Sequence, residues 1–255
     1  MILCFDIGNT DIDVGVFHND ILVKNFDIPY QKEQSCWTYL GNILKGLKAN
    51  DIKPEDVKGS ILCSVVKNST QGVYEAMEIA FNHKPVLFEN NGVAGIDVKI
   101  DNPDEIGLDI LAGCITVKEK YSLPAIVVDM GTGTTLTAMD KDGSILGVSI
   151  VPGILIALQA LGTRTGLPID ESFSAPNKAI GTNTKDSIAS GVVLGNAFLM
   201  DGMITAFEKE MGCECNVYCT GGGSKFIMPL CQHPHILNEN LLLEGLYLYY
   251  KKVKG

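Results

Sequence analysis

Apolar and polar residues alternate along the start of the chain. The pattern over residues 1–7 (MILCFDI), 11–18 (DIDVGVFH) and 21–28 (ILVKNFDI) predicts three strands, with turns at Gly8–Thr10 and Asn19–Asp20. Such a meander forms an antiparallel edge on a mixed sheet. The period then changes. Trp37, Leu40, Ile43, Leu44 and Leu47 recur at helical spacing within residues 33–49. Residues 60–66 predict a buried strand, 70–82 a helix and 85–88 another strand, and Pro103 opens a helical stretch running to Lys118. The second half repeats this order. Residues 125–130 (AIVVDM), 134–139 and 144–151 predict strands, and 154–161 and 184–211 helices. A strand at 216–219 follows, then a turn at Gly221–Gly223 opening a helix, and a last helix at 240–252. Meanders followed by alternating helices and strands, twice over, predict an α/β protein of two similar lobes, 1–118 and 119–255.

Bulk composition narrows the partners. The chain has 255 residues, of which 46% are apolar, ample for a buried core. A formal charge of −10 argues against nucleic acid and anionic membranes, which reward clustered Lys and Arg. No unbroken apolar run approaches the ~18 residues of a spanning helix, and no basic leader precedes the first apolar stretch. The expected setting is cytoplasmic. Of the eight cysteines, Cys4, Cys63 and Cys114 stand in apolar stretches, where a free thiol acts as a small hydrophobe. Cys213, Cys215 and Cys219 lie closer together, with His233 and His235 downstream, but C-x-C-x3-C lacks the paired spacing of structural zinc. Reduced thiols are expected.

Three turns carry candidate chemistry. In FDIGNT, Asp6 ends the first strand, Gly8 lets backbone N–H groups approach a phosphate, and Asn9 and Thr10 add polar side chains. A carboxylate beside phosphates makes electrostatic sense only with a cation between them, so Asp6 implies Mg²⁺, bound directly or through water. The segment VDMGTGTT repeats the device with Asp129, Gly131 and Thr132. In CTGGGSKF, Gly221 and Gly222 let backbone lie flat against a ligand. Taken singly, each turn reads as readily as an ordinary Gly-rich turn; three in this order point to two halves serving one nucleotide.

This order of motifs resembles the superfamily of acetate kinase, sugar kinases, heat-shock ATPases and actin. More narrowly, the whole chain resembles the type III pantothenate kinases. The matching stretches are DIGNTDIDVGVF (6–17), DNPDEIGLD (101–109), VVDMGTGTT (127–135), IGTNTKDSIASG (180–191), CTGGG (219–223) and LLLEGL (241–246). The resemblance implies two duplicated ribonuclease H-like lobes of the actin-like ATPase fold, with mixed sheets flanked by helices. It implies ATP-dependent phosphorylation of the primary hydroxyl of pantothenate, the first step of coenzyme A synthesis. It assigns ATP and phosphate binding to the loop from Asp6 to Asp13 and to Thr132. Asp109 becomes the general base, within a substrate motif of Gly107, Leu108, Asp109 and Ile110; Thr184 becomes a substrate contact. Asp129 becomes the ligand of a monovalent cation, K⁺ or NH₄⁺.

Two positions depart from the family. The family motif G-x-D-R ends here in Ile110, and the Tyr that usually precedes the D-N-P segment is Ile100. Lys99 is the nearby cation that could substitute. Two other readings therefore stay open: a catalytically silent nucleotide-binding regulator, and a kinase of another small hydroxylated metabolite. Within residues 184–211, Gly191, Gly195 and Gly202 stand among apolar residues. Glycine costs about 1 kcal/mol relative to Ala inside a helix, so these positions call for a closely packed neighbour. That neighbour is a helix of the same chain or of a second copy; the resemblance implies a homodimer.

Overall fold

The computed structural model describes residues 1–169, 175–176 and 178–255. The chain divides into two compact units. One comprises Met1–Ile96, Asn102–Glu119 and Asn240–Gly255; the other comprises Asp97–Asp101 and Lys120–Glu239.

In the first unit the predicted meander forms. Strands β1 (Ile2–Ile7), β2 (Asp11–His18) and β3 (Ile21–Pro29) pair antiparallel in sequence. On the other side of β1 lie two parallel strands, β4 (Gly59–Ser64) and β5 (Val86–Leu87), giving the order β3-β2-β1-β4-β5. Helix α1 (Cys36–Ala49) starts where Ser35 accepts the Thr38 N–H, and α2 (Lys67–Phe81) follows β4. Alternation sorts the strand residues. Leu3, Phe5, Ile7, Ile12, Val14 and Ile28 pack with Tyr39, Ile43 and Leu47 of α1 and Val73 and Met77 of α2. Each fully buried Leu, Ile or Phe side chain contributes roughly 1.5–3 kcal/mol.

The opposite face of that sheet meets α8 (Leu241–Lys254), the last helix of the chain. Gly15 leaves room there for Leu243, and Tyr247 stacks on Phe17 at 4.2 Å. The same helix holds α3 (Leu108–Lys120), because Thr116 Oγ1 donates to the Leu241 carbonyl at 2.7 Å. This corrects the lobe boundary drawn from sequence. The expected cut at 118/119 falls beside the observed crossing, but α8 packs into the first unit while residues 97–101 join the second, where Lys99 N–H donates to Ile145.

The second unit repeats the plan. Strand β6 (Ala125–Met130) pairs antiparallel with β7 (Gly133–Met139), which pairs with β8 (Ile145–Pro152). On its other side run β9 (Asn216–Thr220) and β10 (Ile236–Leu237), both parallel. Helix α4 (Ile154–Thr165) follows the meander, as α1 does in the first unit. Residues 184–211 are helical throughout. They form α5 (Thr184–Ala189), a wider π-helical segment at Ser190–Leu194, and α6 (Gly195–Met211). Val193, Ala197, Met200 and Ile204 form one stripe against Ile126, Val128 and Val217. Helix α7 (Ser224–Ile227) is short.

Two other expectations change. The helix expected from Pro103 is broken into a 3-10 turn at Pro103–Glu105 and α3 from Leu108, with Gly107 at the break. Thr184–Met211 is long and apolar enough to cross a membrane by length and composition alone. Polar residues interrupt it in sequence, but it folds as one amphipathic helix.

Candidate active site

Equivalent strands place the two aspartates of the repeat in equivalent positions. Asp6 is the fifth of six residues in β1, and Asp129 the fifth of six in β6. In the first sheet Asp6 registers with Asp13 on β2 and Cys63 on β4, and Asp13 registers with Asp27 on β3. Registered neighbours project to one face, so Asp27, Asp13, Asp6 and Cys63 make a single rung. That face also carries Gly15, the one covered by α8. In the second sheet Asp129 registers with Thr135 and Thr220. The first rung is thus acidic and the second rich in hydroxyls.

Asp6 is buried, while Asp13, Asn9 and Thr10 are exposed at the mouth of the turn. The turn closes through Gly8 N–H donating to the Asp11 carbonyl at 3.1 Å. Gly8 is not left-handed, and a Cβ there would meet Asp11 O at an ordinary 3.5 Å. The fold itself therefore does not demand glycine at position 8. Asn9 is held from outside by Lys32, whose Nζ donates to Asn9 Oδ1 at 3.1 Å. Sequence reasoning missed Lys32 and Asp27. Lys32 follows β3 with no motif around it, and Asp27 becomes relevant only once strand register is known.

Asp109 stands in the first turn of α3, where the helix N-terminus favours a carboxylate. Its Oδ1 accepts the Ile110 N–H at 2.8 Å. Burial raises its pKa above the ordinary carboxylate value, and the Ile110 and Asp109 N–H groups offset part of that rise. Gly107 makes the pose possible: a Cβ on it would lie 2.5 Å from Asp109 Oδ1. Asp109 and Asp6 come together around Cys63, a fully buried thiol whose pKa is pushed up by burial and then by these two carboxylates. Leu108 and Ile110 flank Asp109 and are half-buried.

In the second unit three turns meet at the end of β6. Gly221 adopts a left-handed conformation with φ of 82°, and a Cβ there would lie 2.4 Å from Asp129 Oδ1. Gly223 N–H donates to the Met130 carbonyl at 2.9 Å, fixing the Gly221–Gly223 turn against Asp129. The Gly131 and Thr132 carbonyls pack on Gly153 at the start of α4. Asp129 is half-buried; Thr132 and Gly222 are exposed. Thr134, beside them on β7, is 1% exposed, and among the described residues its hydroxyl has no hydrogen-bond partner. Thr184 lies elsewhere in this unit, on a cleft of about 740 Å³ shared with Leu161, Asn183 and Ile188.

These donor sets suit hard cations. Among the described residues no three His, Cys, Asp or Glu side chains are arranged to enclose an ion. Mg²⁺ needs no such enclosure, since it keeps waters and takes one or two carboxylates plus phosphate oxygens; Asp6 fits. Carboxylate and carbonyl oxygens around Asp129 fit a second hard cation. Lys99, the candidate substitute for the missing Arg, is already engaged: its Nζ lies 2.7 Å from Asp140 Oδ2.

Known proteins bear on this arrangement. Residues 2–206 match the sequence profile of the family described as type III pantothenate kinase. A type III pantothenate kinase of Thermomicrobium roseum is 33% identical over 256 residues, covering 99% of this chain and 98% of the relative. That of Desulfatibacillum aliphaticivorans is 32% identical over 100% of both chains. Two solved structures share the fold. One is a Campylobacter jejuni protein described as a conserved Baf family transcriptional activator, with TM-score 0.64 and 20% identity over 99% and 98% of the two chains. The other is component A of the (R)-2-hydroxyglutaryl-CoA dehydratase of Acidaminococcus fermentans, with TM-score 0.55 and 11% identity over the same shares. The α/β architecture of duplicated, actin-like lobes agrees with both. On the span of the profile match and the full-length identities, the chain belongs to the type III pantothenate kinase family.

Proposed function

We propose that this protein transfers the γ-phosphoryl group of ATP to the primary hydroxyl of pantothenate, opening coenzyme A synthesis in the cytoplasm. The observation that carries this reading is the pose of Asp109: half-buried, raised in pKa, and seated over a glycine that clears space for its carboxylate. Asp109 accepts the hydroxyl proton as the oxygen attacks the γ-phosphorus, and ADP departs. Its raised pKa brings the base nearer to working pH, where proton transfer is most effective. Asp6 would hold Mg²⁺, directly or through water, and the ion would neutralise phosphate charge when bound; Asp13 serves the phosphate side. Gly8, Asn9, Thr10 and Thr132 contact phosphates, Gly221 and Gly222 take the adenosine side, and Asp129 holds K⁺ or NH₄⁺. Gly107, Leu108, Ile110 and Thr184 contact the acceptor.

A homodimer completes the reading. Helix residues 184–211 are only 22% buried over their apolar window. A Cβ added at Gly191, Gly195 or Gly202 would meet nothing within 4 Å. No described residue of this chain supplies the packing neighbour that these glycines call for. Ile150, Ile180 and Phe198 are 72%, 80% and 58% exposed in the same unit, and a second copy would cover such a surface.

Phosphorus NMR of the reaction with ATP, Mg²⁺, K⁺ and pantothenate tests the activity. Appearance of a phosphomonoester together with ADP supports it; neither product from folded protein at millimolar pantothenate contradicts it. The engagement of Lys99 by Asp140 favours one second reading, an acceptor other than pantothenate, since Lys99 is then not free to replace the family's Arg at Ile110. Ile110→Arg with Ile100→Tyr separates the two. A large gain with pantothenate identifies a missing acceptor clamp, and turnover only with another hydroxylated metabolite supports the second reading.

A further inference from the structure

At the end of α6 the chain reads Met211-Gly212-Cys213-Glu214-Cys215 before β9 begins. Gly212 turns left-handed at φ 72°, and its N–H and that of Cys213 both donate to the Glu208 carbonyl, at 2.8 and 3.2 Å. The Glu208 side chain then reaches past the turn, where its Oε1 accepts the Cys215 N–H at 2.9 Å. Backbone hydrogen bonds therefore pin the loop at both cysteines.

Three sulfurs converge on this pinned loop. Cys215 Sγ lies 3.7 Å from Met211 Sδ, and the Cys213 and Cys215 thiols are within hydrogen-bonding reach of one another. Sulfurs bound about 2.3 Å from one ion in a trigonal array lie about 4 Å apart. The 3.7 Å between Cys215 Sγ and Met211 Sδ is close to that, and Cys215 Sγ also lies 3.8 Å from the Cys213 carbonyl oxygen. We infer that Met211, Cys213 and Cys215 form a binding site for a soft cation of the copper(I) type, separate from the kinase site.

The chemistry of the donors sets the class of ion. Thiolate and thioether sulfur select soft cations over magnesium or calcium, and the thioether, a donor that structural zinc sites do not use, favours copper(I) within that class. Among the described residues no three His, Cys, Asp or Glu side chains are placed to hold an ion, so it is the thioether that completes this set. Access is open, with Cys213 exposed and Cys215 half-buried. A second sulfur pair in this unit lacks that access: Cys231 Sγ lies 3.9 Å from Met228 Sδ, and Met228 is fully buried. None of the three sulfur residues belongs to the turns assigned to ATP or acceptor, so the two activities separate by mutation.

The test uses the full chain, reduced and kept anaerobic, titrated with the copper(I) acetonitrile complex against the chelator bathocuproine disulfonate. The wild-type protein retains one copper(I). Cys213→Ser and Cys215→Ser each weaken retention by at least about tenfold, and Met211→Leu weakens it less, as expected for loss of one ligand. Cys231→Ser leaves retention unchanged, and all four variants keep wild-type ATP binding, which shows that they fold. Unchanged retention in the Cys213→Ser, Cys215→Ser double variant overturns the site. So does a reduced wild-type protein that takes up no copper(I).

Discussion

A Cβ placed on Gly107 would lie 2.5 Å from Asp109 Oδ1, so the glycine two residues earlier shapes the space the carboxylate occupies. Gly107 also accepts the Leu111 N–H at 3.0 Å and thereby starts the helix. Alanine at 107 must push either the carboxylate or the helix start aside. In Gly107→Ala, kcat should fall about 100-fold, the loss that a misplacement on the order of 1 Å produces. The affinity for ATP, measured by calorimetry, should stay within twofold. Unchanged kcat would mean that Asp109 is not held in its working pose by this contact.

The raised pKa of Asp109 has a kinetic signature. Burial, the dominant cause, favours the neutral acid, and the base must be ionised to act. Activity therefore falls as pH drops through the raised value, and the acid limb of kcat/KM lies above the ordinary carboxylate range. Stability runs the other way. A carboxyl whose folded pKa is raised stabilises the fold below its unfolded pKa, and this contribution is lost as pH rises through the folded pKa. A pH profile with its acid limb at or below the usual Asp value would contradict the assignment.

Asp140 behaves oppositely. Burial pushes it up, but the Lys99 ammonium and the Ser144 and Asp142 N–H groups win and bring it down to about 2. A depressed folded pKa gives stability that is present above the unfolded value of 3.8 and lost as pH falls toward 2. Lys99 is partly exposed, so the effect is small. Lys99→Met should lower the melting temperature at pH 5 and have little effect at pH 2. The pH dependence of the difference is the measurement, and a difference that grows toward pH 2 would contradict it.

The exposed apolar surface on the second unit predicts association. Phe198→Glu places a charge where a second copy would pack, on a side chain that is 58% exposed. The wild-type protein should elute as a dimer and the variant as a monomer with an unchanged far-UV spectrum. Two monomeric proteins would remove the dimer from the account.

Much of this was legible in the sequence because period and punctuation agree. The strands at 2–7, 11–18 and 125–130 follow from alternation or from a short apolar run ended by Asp, and the structure keeps their edges within a residue. The π-helical segment at Ser190–Leu194 was not legible, since apolar spacing there is compatible with an unbroken α-helix. Strand β10 is two residues long, too short for any pattern. The place of α8 in the first unit depends on contacts such as Gly15 with Leu243, between opposite ends of the chain. Of the site, the glycine turns announced themselves by type. Asp27 and Cys63 did not, because only register across three strand pairs brings them level with Asp6.

The central claim is that Asp109 takes the acceptor proton, and Asp109→Asn tests it most directly. The amide keeps the shape and can still accept the Ile110 N–H, but it cannot take a proton. Pantothenate-dependent ADP formation should fall about 10²- to 10⁴-fold, while calorimetric ATP affinity stays close to wild type. A variant that turns over within threefold of wild type would contradict the account.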